Sequence, residues 1–374
     1  MTVKKLVSWS VLGLFSWGGM IQPALSESEH NELVVRYHNG LKMMTKDKQF
    51  KFQVGGRIMM DFAIFDADNT FKTSFEDGDQ TSGAELRRAR IFMAGLLYNK
   101  ILFRAEYDFA STSDSTGSTP SSGEEPGFRD VYIELIKLPL VGAFRVGHHK
   151  EFWSLENMTS SKYIMFMERS LMNFFSPARG LGVGIFSPAL DRRITWSTGV
   201  FFDSAGTAPP VSNFDNSPGA VNFSLRLTGR PWYQDKGKQL IHLGFSYGLE
   251  DQGKDNLTHF RARPEANLTS FHPVDTGPQP VENINRYTFE LAGVYGPFSL
   301  QGEHTFVSVS KPAGTPDVDY SGFYVQASYF ITGEHRHYNT KYGIFGIESN
   351  PTAFLTARVA GAPGKWHCVI PIST

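Results

Sequence analysis

The sequence predicts an all-β fold, a transmembrane antiparallel β-barrel, on three observations. Segment after segment alternates polar and apolar residues with period two, the pattern of a strand with two unlike faces. After residue 26 no apolar stretch approaches the length of a spanning helix, so a membrane-embedded form of this chain has to be a closed sheet. Short turns alternate with long Gly/Ser/Pro/Asp-rich loops, the asymmetry of an outer-membrane barrel.

The elements follow in chain order. Lys4 and Lys5 precede an apolar run from Leu6 to Ile21, and Ala24-Leu25-Ser26 supplies a small-x-small cleavage pattern, so residues 1–26 read as a secretory signal peptide. Residues 27–47 read as an N-terminal periplasmic segment or a first strand, and 48–346 as the barrel domain. Leu102, Arg104, Glu106 and Asp108 fall on one face of a strand, opposite Ile101, Phe103, Ala105, Tyr107 and Phe109. Asp130, Tyr132 and Glu134 oppose Val131, Ile133 and Leu135 in the same way. His242, Gly244, Ser246 and Gly248 oppose Ile241, Leu243, Phe245 and Tyr247, and Arg286, Thr288, Glu290 and Ala292 oppose Tyr287, Phe289, Leu291 and Gly293. About a dozen strands can be placed by this rule. Tight turns are expected at Tyr98-Asn99-Lys100, Leu138-Pro139-Leu140-Val141 and Gly296-Pro297, and long loops at 66–83, 111–127, 204–220 and 251–285. Charged residues crowd the polar faces, which calls for a wet interior rather than the dry one of a β-sandwich.

Bulk composition narrows the function. A formal net charge of -1 gives no electrostatic reason to expect a nucleic-acid partner, so any anion binding has to be local. The single cysteine, Cys368, excludes an intrachain disulfide. No G-x-S-x-G elbow, P-loop or H-E-x-x-H helix is present, so no catalytic residues and no cofactor are expected. His148 and His149, adjacent in a strand, face opposite ways, and no Cys or carboxylate spacing completes a metal site with them or with His335-Arg336-His337.

One long segment, 147–188, interrupts the alternation. Its polar centre, Ser160-Ser161-Lys162 followed by Arg169, places two hydroxyls and two cations within a short reach, a composition suited to an anion. Serine hydroxyls donate without adding charge, and a guanidinium bonds phosphate oxygens bidentately.

An ordered series of short motifs then carries a resemblance: Leu86-Arg87-Arg88-Ala89-Arg90, Phe103-Arg104-Ala105-Glu106-Tyr107-Asp108-Phe109, Arg129-Asp130-Val131-Tyr132-Ile133, Arg145-Val146-Gly147, Thr159-Ser160-Ser161-Lys162-Tyr163, Phe166-Met167-Glu168-Arg169-Ser170, Arg179-Gly180-Leu181-Gly182-Val183 and Pro231-Trp232-Tyr233. From about Lys48 to about Gly346 the chain resembles the phosphate-selective porin O and P family. The resemblance implies a 16-stranded homotrimeric outer-membrane barrel inserted by the barrel-assembly machinery. It implies that loop 148–180 folds into the lumen as an anion-binding constriction, with Ser160, Ser161 and Arg169 as phosphate ligands, Asp130 as an acid beside them, and Lys162, Arg87 and Arg88 near. Arg226 and Arg230 would extend a basic track. Asn157 stands where the family carries a loop lysine.

The end of the chain departs from that pattern. A family barrel needs about four more strands after Ile331, whereas residues 347–374 lose clean alternation, contain Cys368 and finish Pro371-Ile372-Ser373-Thr374. A truncated or frame-shifted tail is expected there. The function expected is passive diffusion of phosphate or pyrophosphate across an outer membrane. The alternatives are a general porin without phosphate preference and a non-conducting structural or adhesive protein.

Overall fold

The computed structural model describes residues 33–37, 40–65, 82–110, 127–177, 179–202, 221–269, 271–346, 354–362, 365–369 and 372–373. The expected signal peptide 1–26, most of three expected loops (66–81, 111–126 and 203–220) and parts of the tail lie outside these residues.

The strands are β1 (Leu33–Tyr37), β2 (Leu41–Thr45), β3 (Lys51–Ala63), β4 (Gly83–Leu97), β5 (Ile101–Asp108), β6 (Gly127–Leu138), β7 (Gly142–Lys150), β8 (Arg179–Ala189), β9 (Ile194–Phe202), β10 (Val221–Gln234) and β11 (Gln239–Thr258). They continue as β12 (Arg261–Ala262), β13 (Val274–Asp275), β14 (Gln279–Tyr295), β15 (Phe298–Ser310), β16 (Val318–Tyr329), β17 (Tyr338–Asn339), β18 (Ile344–Phe345), β19 (Phe354–Ala362), β20 (Lys365–Val369) and β21 (Ile372–Ser373). All but β12, β13, β17 and β18 join one 17-stranded sheet. Each strand pairs antiparallel with the next, β11 passing to β14 and β16 to β19, and β19 pairs with both β20 and β21. The expected segment 27–47 contributes β1 and β2, and the tail beyond 346 contributes the backbone of β19 to β21.

Alternation sorts the faces as expected. In β14, Arg286, Thr288 and Glu290 are buried while Tyr287, Phe289 and Leu291 are exposed. The same reading holds for His242 and Ser246 inside against Ile241 and Leu243 outside. An outer face of exposed aromatic and aliphatic residues with a polar inner face is the inverse of a water-soluble sheet. The tight turns lie where expected, with Tyr98 and Asn99 at φ 51 and 55 and Gly296 at φ 55. These left-handed residues suit two-residue hairpins.

Two expectations change. The sheet holds more strands than alternation places, because short β1, β2, β20 and β21 offer too few residues to show a period. The expected loop 251–285 is largely strand: β11 and β14 pair again at Asn256↔Val281 to Thr258↔Gln279, past a bulge after Asp251↔Asn283. Its residues read as loop because Glu282, Asn283 and Asn285 carry polar groups on both faces, as strands do where they rise above lipid.

The sheet curls round an interior. Asn267, between β12 and β13, donates to Glu85 of β4 at 2.8 Å, although several strands separate their positions in the sheet. Residues 151–177 run through that interior and touch strands all round it.

Candidate functional site

The interior loop begins and ends at one paired position, Lys150 of β7 opposite Arg179 of β8. It first crosses to the far wall: Phe152 N donates to Ser224 Oγ of β10 at 3.2 Å, Ser154 N to Ser246 Oγ of β11 at 3.1 Å, and Glu156 N to Glu303 Oε1 of β15 at 2.6 Å. Trp153 and Leu155 are fully buried on that side. A Cβ at Gly248 would approach the Trp153 ring to 2.9 Å, so only glycine lets the indole lie against β11. A single helical turn, Leu155–Met158, follows, with Ser154 Oγ accepting from Asn157 N at 3.1 Å as its cap. The Glu156 carboxylate accepts from Ser170 N and, at 2.6 Å, from Ser170 Oγ, tying the outgoing and returning arms together.

The returning arm faces the near wall, β3 to β8, and stands off from it. Between them lies a cavity of about 560 Å³. Arg57, Arg87, Arg88, Arg90, Arg104, Arg129, Arg145, Lys150, Lys162, Arg169, Arg179, Arg261 and Arg263 line it, against the carboxylates Glu106, Asp130, Glu168 and Glu265. Opposite charges are partly matched. Arg90 holds Asp108 at 2.6 Å and Glu106 at 3.3 Å, Arg104 bonds Glu106, and Arg145 holds Glu134 at 2.7 Å. Cations nonetheless outnumber acids about threefold along the lining, in a chain whose formal charge is -1.

Two β-bulges concentrate this charge. The β3–β4 register slips between Met59↔Arg88 and Asp61↔Glu85, and Arg87 and Arg88 are both buried while Leu86 faces out. The β5–β6 register slips between Ala105↔Val131 and Tyr107↔Phe128, which turns both Arg129 and Asp130 away from the side of exposed Phe128. A regular strand cannot show two consecutive side chains to one face; a bulged one can.

All seven residues expected at the site line the cavity: Ser160, Ser161, Arg169, Asp130, Lys162, Arg87 and Arg88. Ser161 Oγ accepts from Arg57 Nη2 at 2.8 Å, and the buried Nη1 of Arg57 has no partner among the described residues. Ser160 Oγ accepts from Lys162 N at 3.4 Å. Arg169 donates to the carbonyls of Glu156 and Thr159 at 3.0 and 2.8 Å and forms no ion pair among the described residues. Burial brings its pKa down to about 10, which leaves it charged at neutral pH. Burial, with Arg57 near, also lowers that of Lys162. Arg87 and Arg88 instead grip Glu168 of the loop, Arg88 Nη2 reaching both carboxylate oxygens at 2.9 Å. Asp130 pairs with Arg179 at 2.8 Å and more loosely with Arg104 at 3.9 Å, so it orients wall arginines rather than Arg169. Lys150 and Arg179 escape the sequence reading because each sits at the end of a strand, and Arg57, in the middle of β3, because no motif covers it. Their position on an inward face was the signal.

Arg226 and Arg230 lie elsewhere. Arg226 is buried in a two-pronged bond to Glu290 at 2.9 and 2.7 Å and also donates to the carbonyls of Tyr342 and Gly343 at 3.1 and 2.8 Å. Arg230 donates to the carbonyls of Arg192 and Asp191, holding the turn between β8 and β9. Neither lines the cavity. The carbonyls of Tyr342 and Gly343 belong to a second inward segment, which the sequence did not announce. Residues 330–346 leave β16 at the short-turn end and enter the interior, where Tyr338 and Phe345 pack with Leu155, Leu240, Ala292 and Val294. Tyr338 Oη hydrogen-bonds His242 Nδ1 at 2.7 Å, and Tyr342 reaches the cavity floor.

Comparison with known proteins agrees with this architecture. The chain is 24% identical to Porin O of Pseudomonas aeruginosa over 335 residues, 82% of this chain and 70% of that protein. It is 28% identical to an uncharacterized protein of Caulobacter vibrioides over 300 residues, 78% of this chain and 55% of that protein, so it spans only a little over half of the latter. The model of the phosphate-selective porin O and P family matches residues 52–366, most of the chain's length, and the chain therefore belongs to that family.

Proposed function

We propose that this chain is an outer-membrane porin through which phosphate-like anions diffuse passively, and that loop 148–180 forms its constriction against β3 to β8. The observation that carries the reading is the excess of arginine and lysine around a cavity of about 560 Å³, with the serine pair of the loop on its wall. An anion entering there exchanges water for the hydroxyls of Ser160 and Ser161 and for the guanidinium groups of Arg57 and Arg169. The unpartnered Nη1 of Arg57 is a donor already desolvated and waiting for an acceptor. Charge-assisted bonds of this kind are about twice as strong as neutral ones.

Release matters as much as capture, since conduction fails when an ion is held too tightly. Glu168 on Arg87 and Arg88, and Asp130 on Arg179, temper the field so that an anion is passed on. No chemical change of the anion is needed, which makes the protein a channel and not an enzyme. Export by the N-terminal signal peptide, assembly by the barrel-insertion machinery and a homotrimeric state complete the reading.

Planar-bilayer recording in chloride with added phosphate tests it. Chloride current blocked by phosphate supports the reading, current without block makes the protein a general porin, and silence from folded protein makes it non-conducting. Phosphate block that survives Arg169→Ala removes that residue from the site.

A further inference from the structure

We propose that Lys150 is a direct anion ligand of this channel, supplying from the barrel wall the ammonium that the loop lacks at Asn157. The inference rests on the porin reading and extends it to a residue outside the Ser160–Arg169 segment. Lys150 is the last residue of β7, at the neck of the loop, and its side chain lines the cavity. Its Nζ donates to the carbonyl of Asn157 and, at 3.4 Å, to that of Thr159. The same Thr159 carbonyl accepts from Arg169 Nη2 at 2.8 Å. Two cations therefore converge on one carbonyl oxygen, immediately before Ser160 and Ser161.

That arrangement is electrostatically incomplete. A carbonyl dipole offsets only part of the repulsion between an ammonium and a guanidinium, and the wall carboxylate Asp130 is already bonded to Arg179. Asn157 spends its amide on the carbonyl of Pro177 at 3.2 Å and brings no charge. An ammonium has three donors, and the two carbonyls use two of them. The third is left for an anion that also meets Arg169 and the serine hydroxyls. The carbonyls aim the ammonium and the anion completes its shell.

The test separates charge from mere loop support. Lys150→Met, recorded in a potassium chloride gradient and then with added inorganic phosphate, is expected to lower the anion-to-cation permeability ratio. It is also expected to raise the half-blocking phosphate concentration by roughly tenfold or more, the loss of one charge-assisted hydrogen bond. Lys150→Arg should restore most of both. In a Cys368→Ser background, Lys150→Cys modified with an aminoethyl thiosulfonate should recover anion preference, whereas a neutral reagent of similar size should not. Equal recovery with both reagents, or an unchanged permeability ratio and block in Lys150→Met, overturns the proposal. A wild-type channel that phosphate does not block, but whose anion preference falls in Lys150→Met, would keep Lys150 as an anion ligand and refute the phosphate reading instead.

Discussion

The two halves of the barrel interior use the same strand geometry and treat charge in opposite ways. Along β9 to β16 the inward arginines are matched and covered: Arg226 is clasped by Glu290, Arg286 meets Glu250 at 2.5 Å, and Trp153 and Leu155 of the loop seal that side. Along β3 to β8 the loop stands away from the wall, the lining is mainly cationic, and a cavity remains. Both halves bury ionised groups, which is costly unless they are paired. The difference leaves the open space of the interior on one side, against β3 to β8, while the loop fills the other. On the proposed function, stability would reside in the filled half and selectivity in the open one.

That division can be broken by substitution. The largest effect is expected from Arg226→Ala or Glu290→Ala, each of which strands a buried charge at a cost of about 3–5 kcal/mol. Thermal unfolding in detergent measures it, and Lys162→Ala, on the open side, should shift the same midpoint by no more than about 0.5 kcal/mol equivalent. A shift of equal size from both would abolish the distinction between the halves. Leu155→Ala comes next, at about 2–5 kcal/mol for the cavity it leaves, and should widen the passage as the loop loosens, read as a larger and noisier single-channel conductance.

The open side should respond in selectivity. Ser161→Ala is expected to weaken phosphate block several-fold to tenfold with little change in melting, since it takes one acceptor from Arg57 and one donor from the site. Glu168→Gln should act in the other direction. It unmasks Arg87 and Arg88 and should raise anion preference in reversal-potential measurements, by an interaction worth about 1 kcal/mol. The smallest effect is with pH. The pKa of Lys162 is lowered by burial, so this cation is lost at a lower pH than an ordinary lysine, and phosphate block should weaken modestly as pH rises towards the ordinary lysine value of about 10.4. Lys162→Met should flatten that slope.

Much of this was legible in the sequence. Period-two alternation suffices wherever lipid and water face opposite sides of a strand, as at residues 286–291, and the Ser160-Ser161 pair with Arg169 stood out because hydroxyls and cations interrupt it. The reading failed where that two-solvent condition lapses. Strands β11 and β14 extend to Thr258 and from Gln279 across a stretch where Glu282, Asn283 and Asn285 put polar groups on both faces. The inward course of 330–346 depends on burial of Tyr338 and Phe345 against residues distant in the chain, which no local pattern encodes. The resemblance puts Arg226 in a basic track, and no local pattern announces its neutralising partner, Glu290, 64 residues away. Lys150 lay within the expected loop 148–180 but outside its Ser160–Arg169 polar centre, and only the fold of the loop over it brings it to the cavity.

The bulges at Arg87-Arg88 and Arg129-Asp130 bear on how such a pore can change. In a regular ladder, inserting one residue reverses the outlook of every side chain that follows, exposing charges to lipid over the remainder of the strand. A bulge absorbs the insertion on the spot and returns the strand to its former phase. One additional codon can therefore add an inward ligand without disturbing those already in place, and the removal of one can delete it. The charge of the lumen is in this way adjustable in length as well as in letter, and libraries that vary residue number at these two positions should retune ion preference while keeping the wall intact.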